Sequence, residues 1–403
     1  MSTTRDIPWL ISVDDHVIEP PDLWQRWLPA GMRERGPRVV RASLIGDKQS
    51  DGGFKYRIGG DAPPVDVWVY EDLVKHTPTT MACAGLPRDE LTNRPISYAD
   101  MRPGFYDPVA RLADMDTNRT EASLCFPTFP RFCGQTFLEA QDRELAHACV
   151  LAFNNWMVEE WAGGSGGRLL PLCIIPLWDA RLAAAEVRRN AARGCRAVAF
   201  SELPTYLGLP SIHHNAWDPL FEACAETGTV VCMHIGSGTV LPMTSADAPN
   251  GVRISLTSIN AQMSMTDWLL SGVLARYPSL RIAYSEGQIG WMPYVLERVD
   301  NVFHKSRKYA GLDPAITEPP STYARGRIYG CFFEDDHGIA VRDIVGIDQI
   351  TFETDYPHQD TTWPNTGAAI DRFAAQLSDE ELYKILRGNA IEMLGLDLDG
   401  RAR

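Results

Sequence analysis

Four side chains able to bind a metal ion stand at the ends of short apolar runs far apart in the chain. Ile11-Ser-Val-Asp-Asp-His16 closes on Asp14 and His16, Cys232-Met-His234 on His234, and Thr351-Phe-Glu-Thr-Asp355 on Asp355. Side chains alternate along a strand, so positions i and i+2 share a face. Asp14 and His16 therefore reach one point, while Asp15 points away. Two carboxylates and two imidazoles at one point make a mixed nitrogen–oxygen site for one divalent ion: zinc, manganese or iron(II). Asp-Asp-His alone also reads as a polar strand end. The weight falls on whether the fold gathers the runs.

Eight β-leaning segments recur, at 10–17, 121–126, 169–175, 196–200, 230–235, 280–285, 328–333 and 349–353. Stretches of helical periodicity fill nearly every gap, among them 108–116, 137–160, 180–192, 219–227, 292–305 and 379–393. Alternating strands and helices imply a parallel sheet, and eight of them favour a closed (β/α)8 TIM barrel. A doubly wound open sheet would want a Gly-rich phosphate turn after the first strand, where Asp-Asp-His-Val-Ile-Glu-Pro-Pro stands instead. No Walker loop, Gly-x-Ser-x-Gly elbow or internal repeat occurs. Barrel enzymes place their reacting groups at the C-terminal ends of strands. Asp14 and His16 end the first strand, His234 the fifth and Asp355 the eighth, and Glu286 follows the sixth. A core packed only for stability has no reason to put such residues there.

Other polar residues carry a weaker signal. His358, three residues past Asp355, is placed to orient a ligand or line the mouth. Glu202, His213, His214, Glu334 and Asp335 follow strand ends, where a solvated loop or a helix cap explains each as well. His76, His147, His304 and His337 lack such placement and read as surface or core. Phe126, Phe129, Phe132, Trp178 and Trp291 form either an apolar pocket wall or helix packing on the barrel, and both readings stay open.

The chain of 403 residues reads as a single barrel domain, 1–403, with 30–115 as a long irregular insertion after the first strand. That insertion carries Gly-Asp-Lys-Gln-Ser-Asp-Gly-Gly and Gly-Gly-Asp-Ala-Pro-Pro, with a hairpin expected between 54–58 and 65–70. A loop so long is rarely idle, so it forms a lid or an oligomer contact. A net charge of −14 argues against nucleic acid as a partner, and no apolar run is long enough to span a membrane. The opening residues lack the apolar core of a secretion signal. The nine scattered cysteines, with no Cys-x-x-Cys pair, fit reduced thiols in a cytoplasmic protein.

Three local signatures carry a resemblance: Val13-Asp-Asp-His-Val-Ile-Glu-Pro20, Met233-His-Ile-Gly236 and Thr354-Asp-Tyr-Pro-His358, supported by Ser285-Glu-Gly-Gln-Ile-Gly-Trp291 and Gly388-Asn-Ala390. The chain resembles the amidohydrolase superfamily of metal-dependent barrels. Within it, the closer likeness is to the amidohydrolase-related family of aminocarboxymuconate-semialdehyde and resorcylate-type decarboxylases. The resemblance implies Asp14, His16, His234 and Asp355 as metal ligands. The family's first-strand His-x-His is Asp14-x-His16 here. Its strand-six histidine is missing, and Glu286 stands nearest that place. Glu286 replaces it as an acid or base only if burial raises its pKa. Otherwise Glu286 caps the following helix or pairs with an arginine such as Arg298.

The implied activity is metal-dependent hydrolysis of an amide, ester, lactone or acyl thioester, with Asp355 taking the proton of the metal-activated water. Non-oxidative decarboxylation of an aromatic or unsaturated acid, with Asp355 or Glu286 as proton donor, is the alternative. A metal-free barrel with a binding role is the third reading. Catalytic roles fall to Asp355, Glu286 and His358. The expected partner is a small-molecule substrate, and the relatives imply a homo-oligomer, a dimer or larger.

Overall fold

The structure, a computed structural model, describes residues 7–48 and 54–398; residues 1–6, part of the opening stretch read above, lie outside it. Its strands are β1 (Leu10–Val17), β2 (Arg38–Ala42), β3 (Leu44–Lys48), β4 (Phe54–Ile58), β5 (Val65–Tyr70), β6 (Leu73–His76), β7 (Thr120–Pro127), β8 (Leu169–Leu170), β9 (Leu172–Cys173), β10 (Ala197–Phe200), β11 (Val230–His234), β12 (Ile282–Ser285), β13 (Ile328–Phe332) and β14 (Ile350–Phe352).

Nine of these form one parallel row, β8-β7-β1-β14-β13-β12-β11-β10-β9. The two ends of the row are neighbours in the chain. β8 pairs with β7 and β9 with β10, and only Pro171 separates them. Proline has no N–H to give to a ladder, so one strand is split there into two. The row thus closes on itself as an eight-stranded barrel, each of the eight expected strands being present. Every residue of β1, β11 and β14 is buried, as parallel strands covered on both faces require.

Side-chain caps set where several of the helices begin. Asp107 caps Pro108–Thr117 with proline at its first position, Asp179 caps Ala180–Ala191, and Ser378 with Glu381 forms a capping box on Asp379–Tyr383. The single helix expected over 137–160 is instead two. Gln135–Leu138 ends early, and Asp142 opens Arg143–Trp156 by accepting the Leu145 N–H. The Glu71 carboxylate takes the N–H groups of Gln141 and Asp142 in the break. Apolar periodicity continues across this break, which hides it from a pattern search.

The insertion is more regular than expected. β2, β5 and β6 form an antiparallel sheet, and β3 pairs with β4. The expected hairpin of β4 with β5 does not form. β5 buries Val67, Trp68 and Tyr70 and takes the centre of its sheet, whereas no residue of β4 is buried. The insertion lies on the loops at the C-terminal end of the barrel. Trp68 packs 4.7 Å from Phe129 and edge-on to Trp24, Tyr98 donates to the Glu19 carbonyl at 2.5 Å, and the Cys83 and Ala84 N–H groups donate to the Pro357 carbonyl. All nine cysteines are buried and free of disulfides. Among the described residues no helix is long and apolar enough to cross a membrane.

Candidate metal centre

Asp14 and His16 are fully buried on the inner face of β1. Asp15 faces the other way, as the strand alternation predicts. It accepts from Ser12 at 2.9 Å, from the Thr354 hydroxyl at 2.6 Å, from the Tyr356 N–H at 3.1 Å, and from the Ser123 hydroxyl. These bonds tie β1 to β7 and to the segment after β14. The buried Arg111 donates to the His16 carbonyl at 2.6 Å and fixes the strand end. His234 ends β11, and its Nδ1 faces the Ile235 carbonyl at 2.6 Å. That contact commits the proton to Nδ1 and turns the Nε2 lone pair inward. Asp355 is anchored through its N–H to the Asp14 carbonyl at 3.1 Å.

The four predicted ligands converge. From His16 Nε2, His234 Nε2 lies at 3.1 Å, Asp355 Oδ1 at 3.5 Å, Asp14 Oδ1 at 3.7 Å and Glu286 Oε1 at 3.8 Å. His234 Nε2 is 3.3 Å from Glu286 Oε1 and 3.5 Å from Asp14 Oδ2. Ligands bound at about 2.0–2.2 Å to one ion stand roughly 3.0–3.5 Å apart, so these separations suit a shared cation. Both oxygens of Asp14 and both of Asp355 are buried without a hydrogen-bond partner. Buried polar atoms are seldom left so, and a cation would satisfy all four. The residues therefore fit a divalent metal ion. The ligand atoms form two overlapping sets: Asp14, His16, His234 and Glu286 in one, and His16, Glu286, Asp355 and His358 in the other.

The electrostatics agree. Burial first, then the charges of Glu353 and Glu286, hold the Asp14 carboxyl well above its usual range. Burial and then Glu286 do the same to Asp355. Burial also pushes His16 well down, helped by the nearby His358. Burial alone would raise Glu286, but His234 and the hydrogen bonds from the imidazoles more than offset it and hold that carboxyl low. Glu286 thus neither caps a helix nor meets Arg298. It joins the site as an ionised group, the opposite of the raised acid that substitution for the missing histidine calls for.

His358 stacks on His16 with ring centroids 3.5 Å apart, and its Nδ1 is 3.2 Å from Asp355 Oδ1. Phe132 stacks on His234 at 4.1 Å, and Phe126 lies 5.2 Å from the same ring, so these two are the apolar wall. The other expected wall residues pack elsewhere: Phe129 with Trp24, Trp178 under Arg143, Trp291 against Tyr284. His213 pairs with Asp267 at the surface, His214 caps a turn at Ala216, and Glu334 meets Arg372. Asp335 receives the N–H groups of Ile289, Gly290 and Gly338. None of these joins the centre. Glu202 braces it from behind, accepting from the Gly236 N–H at 2.9 Å and the Asn260 amide at 3.2 Å.

One member was missed. Glu353 is buried, takes the Glu286 N–H at 3.1 Å, and lies with Asp14 and Cys331 in a third set of possible ligands. Burial, then the Glu286 charge, pushes it up to about 7. The i, i+2 argument used for Asp14 and His16 applies equally to Glu353 and Asp355. Five non-glycine residues near the strand ends around the site hold positive φ: Arg131, Thr239, Glu286, Gln288 and Asp355. Such conformations cost energy and gather where function demands a particular geometry. A cavity of about 780 Å³ opens beside His358, between insertion residues 83–91 and the helix Thr366–Ala374.

A family model for amidohydrolases matches residues 61–396, and the chain belongs to this amidohydrolase family. No curated protein matches it. Among solved structures it is similar to an amidohydrolase from Mycobacterium avium subsp. paratuberculosis K-10, at 22% identity and TM-score 0.71, covering 96% of this chain and 99% of the other. It is also similar to 5-carboxyvanillate decarboxylase from Sphingomonas paucimobilis, at 17% identity and TM-score 0.65, covering 96% and 100%. A third is the 5-carboxyvanillate decarboxylase of Novosphingobium aromaticivorans, solved with manganese and 3-methoxy-4-hydroxy-5-nitrobenzoic acid, at 15% identity and TM-score 0.64, covering 96% and 97%. At these identities the likeness shows the shared barrel fold.

Proposed function

We propose that the protein is a metal-dependent, non-oxidative decarboxylase of an aromatic or unsaturated carboxylic acid. The observation that carries this reading is the convergence of Asp14, His16, His234, Glu286 and Asp355 around one point, with buried carboxylate oxygens that no donor reaches. Decarboxylases among the similar folds support it. A divalent cation, manganese for instance, would supply a fixed positive charge that holds a substrate carboxylate and its neighbouring oxygen. The chain supplies the rest. Phe126 and Phe132 exclude water beside the imidazoles. Asp355, 3.5 Å from His16 Nε2 at the edge of the cation site, would carry the proton that replaces carbon dioxide on the ring carbon. His358, 3.2 Å away, orients that carboxyl. A homo-oligomer, checked by sedimentation velocity, is part of the proposal.

The test loads the protein with manganese and measures carbon dioxide release from a panel of hydroxybenzoates. Release is expected, and Asp355→Asn should lower kcat by roughly 10²- to 10⁴-fold in protein shown by metal analysis to hold its manganese. The hydrolase reading rests on the same Asp355 acting as a base towards water. Hydrolysis of acyl esters or thioesters, with no carbon dioxide from any ring acid, would establish it instead.

A further inference from the structure

One divalent ion answers only part of the negative charge gathered at the barrel mouth. Asp14, Glu353 and Asp355 are fully buried, and Glu286 nearly so. The ion-pair partners of Asp14, Glu286 and Asp355 are all imidazoles, which bind a metal as neutral groups. Glu353 has no ion-pair partner among the described residues. A single ion with two positive charges therefore offsets about half of these carboxylates, in a place where unpaired charge is costly.

Cys331, on β13, marks where the remainder can be offset. Its Sγ lies with oxygens of Asp14 and Glu353 inside 4.8 Å of one another, the same span that encloses the ligand atoms around His16. Sγ stands 2.6 Å from Glu353 Oε2 and 3.0 Å from the Tyr284 carbonyl. Glu353 Oε1 is buried and no donor reaches it, as with both oxygens of Asp14. No histidine belongs to this set, which shares Asp14 with the first. Among the described residues, Cys331 is the one cysteine of the nine found in such a group.

We propose that Asp14, Cys331 and Glu353 bind a second divalent ion, and that Asp14 bridges it to the first. A thiolate beside two carboxylates is a donor set for zinc. On binding, the Cys331 S–H bond breaks, a sulfur–zinc bond forms and the proton leaves to solvent. The inference rests on the proposed function only for the presence of the first ion and is indifferent to the reaction it serves.

The test equilibrates the full chain with zinc or cobalt(II), removes the excess by gel filtration and measures metal per chain. Two equivalents are expected. The cobalt form should show the near-ultraviolet charge-transfer absorption of a cobalt–thiolate bond, which nitrogen and oxygen ligands do not give. Cys331→Ala should abolish that band and leave one equivalent. Glu353→Gln, which keeps the size of the side chain, should weaken the second equivalent at least tenfold. His234→Ala removes a ligand of the first ion alone and should keep the band. One equivalent with no thiolate band overturns the second site, as does a band or a second equivalent that survives Cys331→Ala. The two proposals fail separately. Carbon dioxide release from a chain holding one ion and showing no band removes the second site and leaves the decarboxylase. A Cys331-dependent band with no carbon dioxide from any ring acid does the reverse.

Discussion

At the scale of single residues, two kinds of buried carboxyl group share the barrel mouth. Asp14 and Asp355 have all four carboxyl oxygens buried without a hydrogen-bond partner. Glu202 has one oxygen fully used and the other, Oε2, buried without a partner. Burial pushes Glu202 up from 4.5 to about 7. The folded protein therefore keeps this proton where the unfolded chain has lost it, and stability falls as pH rises between these values. Glu202→Gln keeps the accepting oxygen and removes the titration. Its stability relative to the native protein should grow by about 1.4 kcal/mol per pH unit across that window, read by urea unfolding at several pH values. Asp14, His16, His234 and Asp355 were legible because strand alternation and strand-end position are local signals. Glu353 obeyed the same alternation but carried no family signature.

At the scale of elements, the barrel strands were readable because burial on both faces writes each as an apolar run. The insertion strands were not. β2 and β3 alternate weakly, and partner choice between β4 and β5 depends on which is buried, a tertiary fact. The break at Asp142 needs Glu71 from another element, so no window on the helix contains it. Trp68 is the anchor between the insertion and the barrel, wedged against Trp24 and Phe129. Trp68→Ala should cost about 3–5 kcal/mol. The variant is expected to be cut by protease within 30–115 first and to lose activity before the barrel unfolds.

At the scale of the whole molecule, the centre joins β1, β11, β12 and β14 across the barrel, so an ion bound there ties distant strands together. Stripping it with a chelator should remove about 2.7 kcal/mol of stability when the metal had been present at a hundredfold excess over its Kd. Differential scanning calorimetry with and without manganese measures this, and an unchanged Tm would argue against a bound ion.

The divided strand at Pro171 carries its own consequence. A hoop is as tight as its clasp, and here the clasp is two ladders of two paired residues each, Ser123 and Leu124 with Leu169 and Leu170, and Ala197 and Val198 with Leu172 and Cys173. Thermal breathing should start there. The amides of Leu172 and Cys173 should exchange with deuterium sooner than those of Val231 and Cys232, where the neighbouring ladders run unbroken.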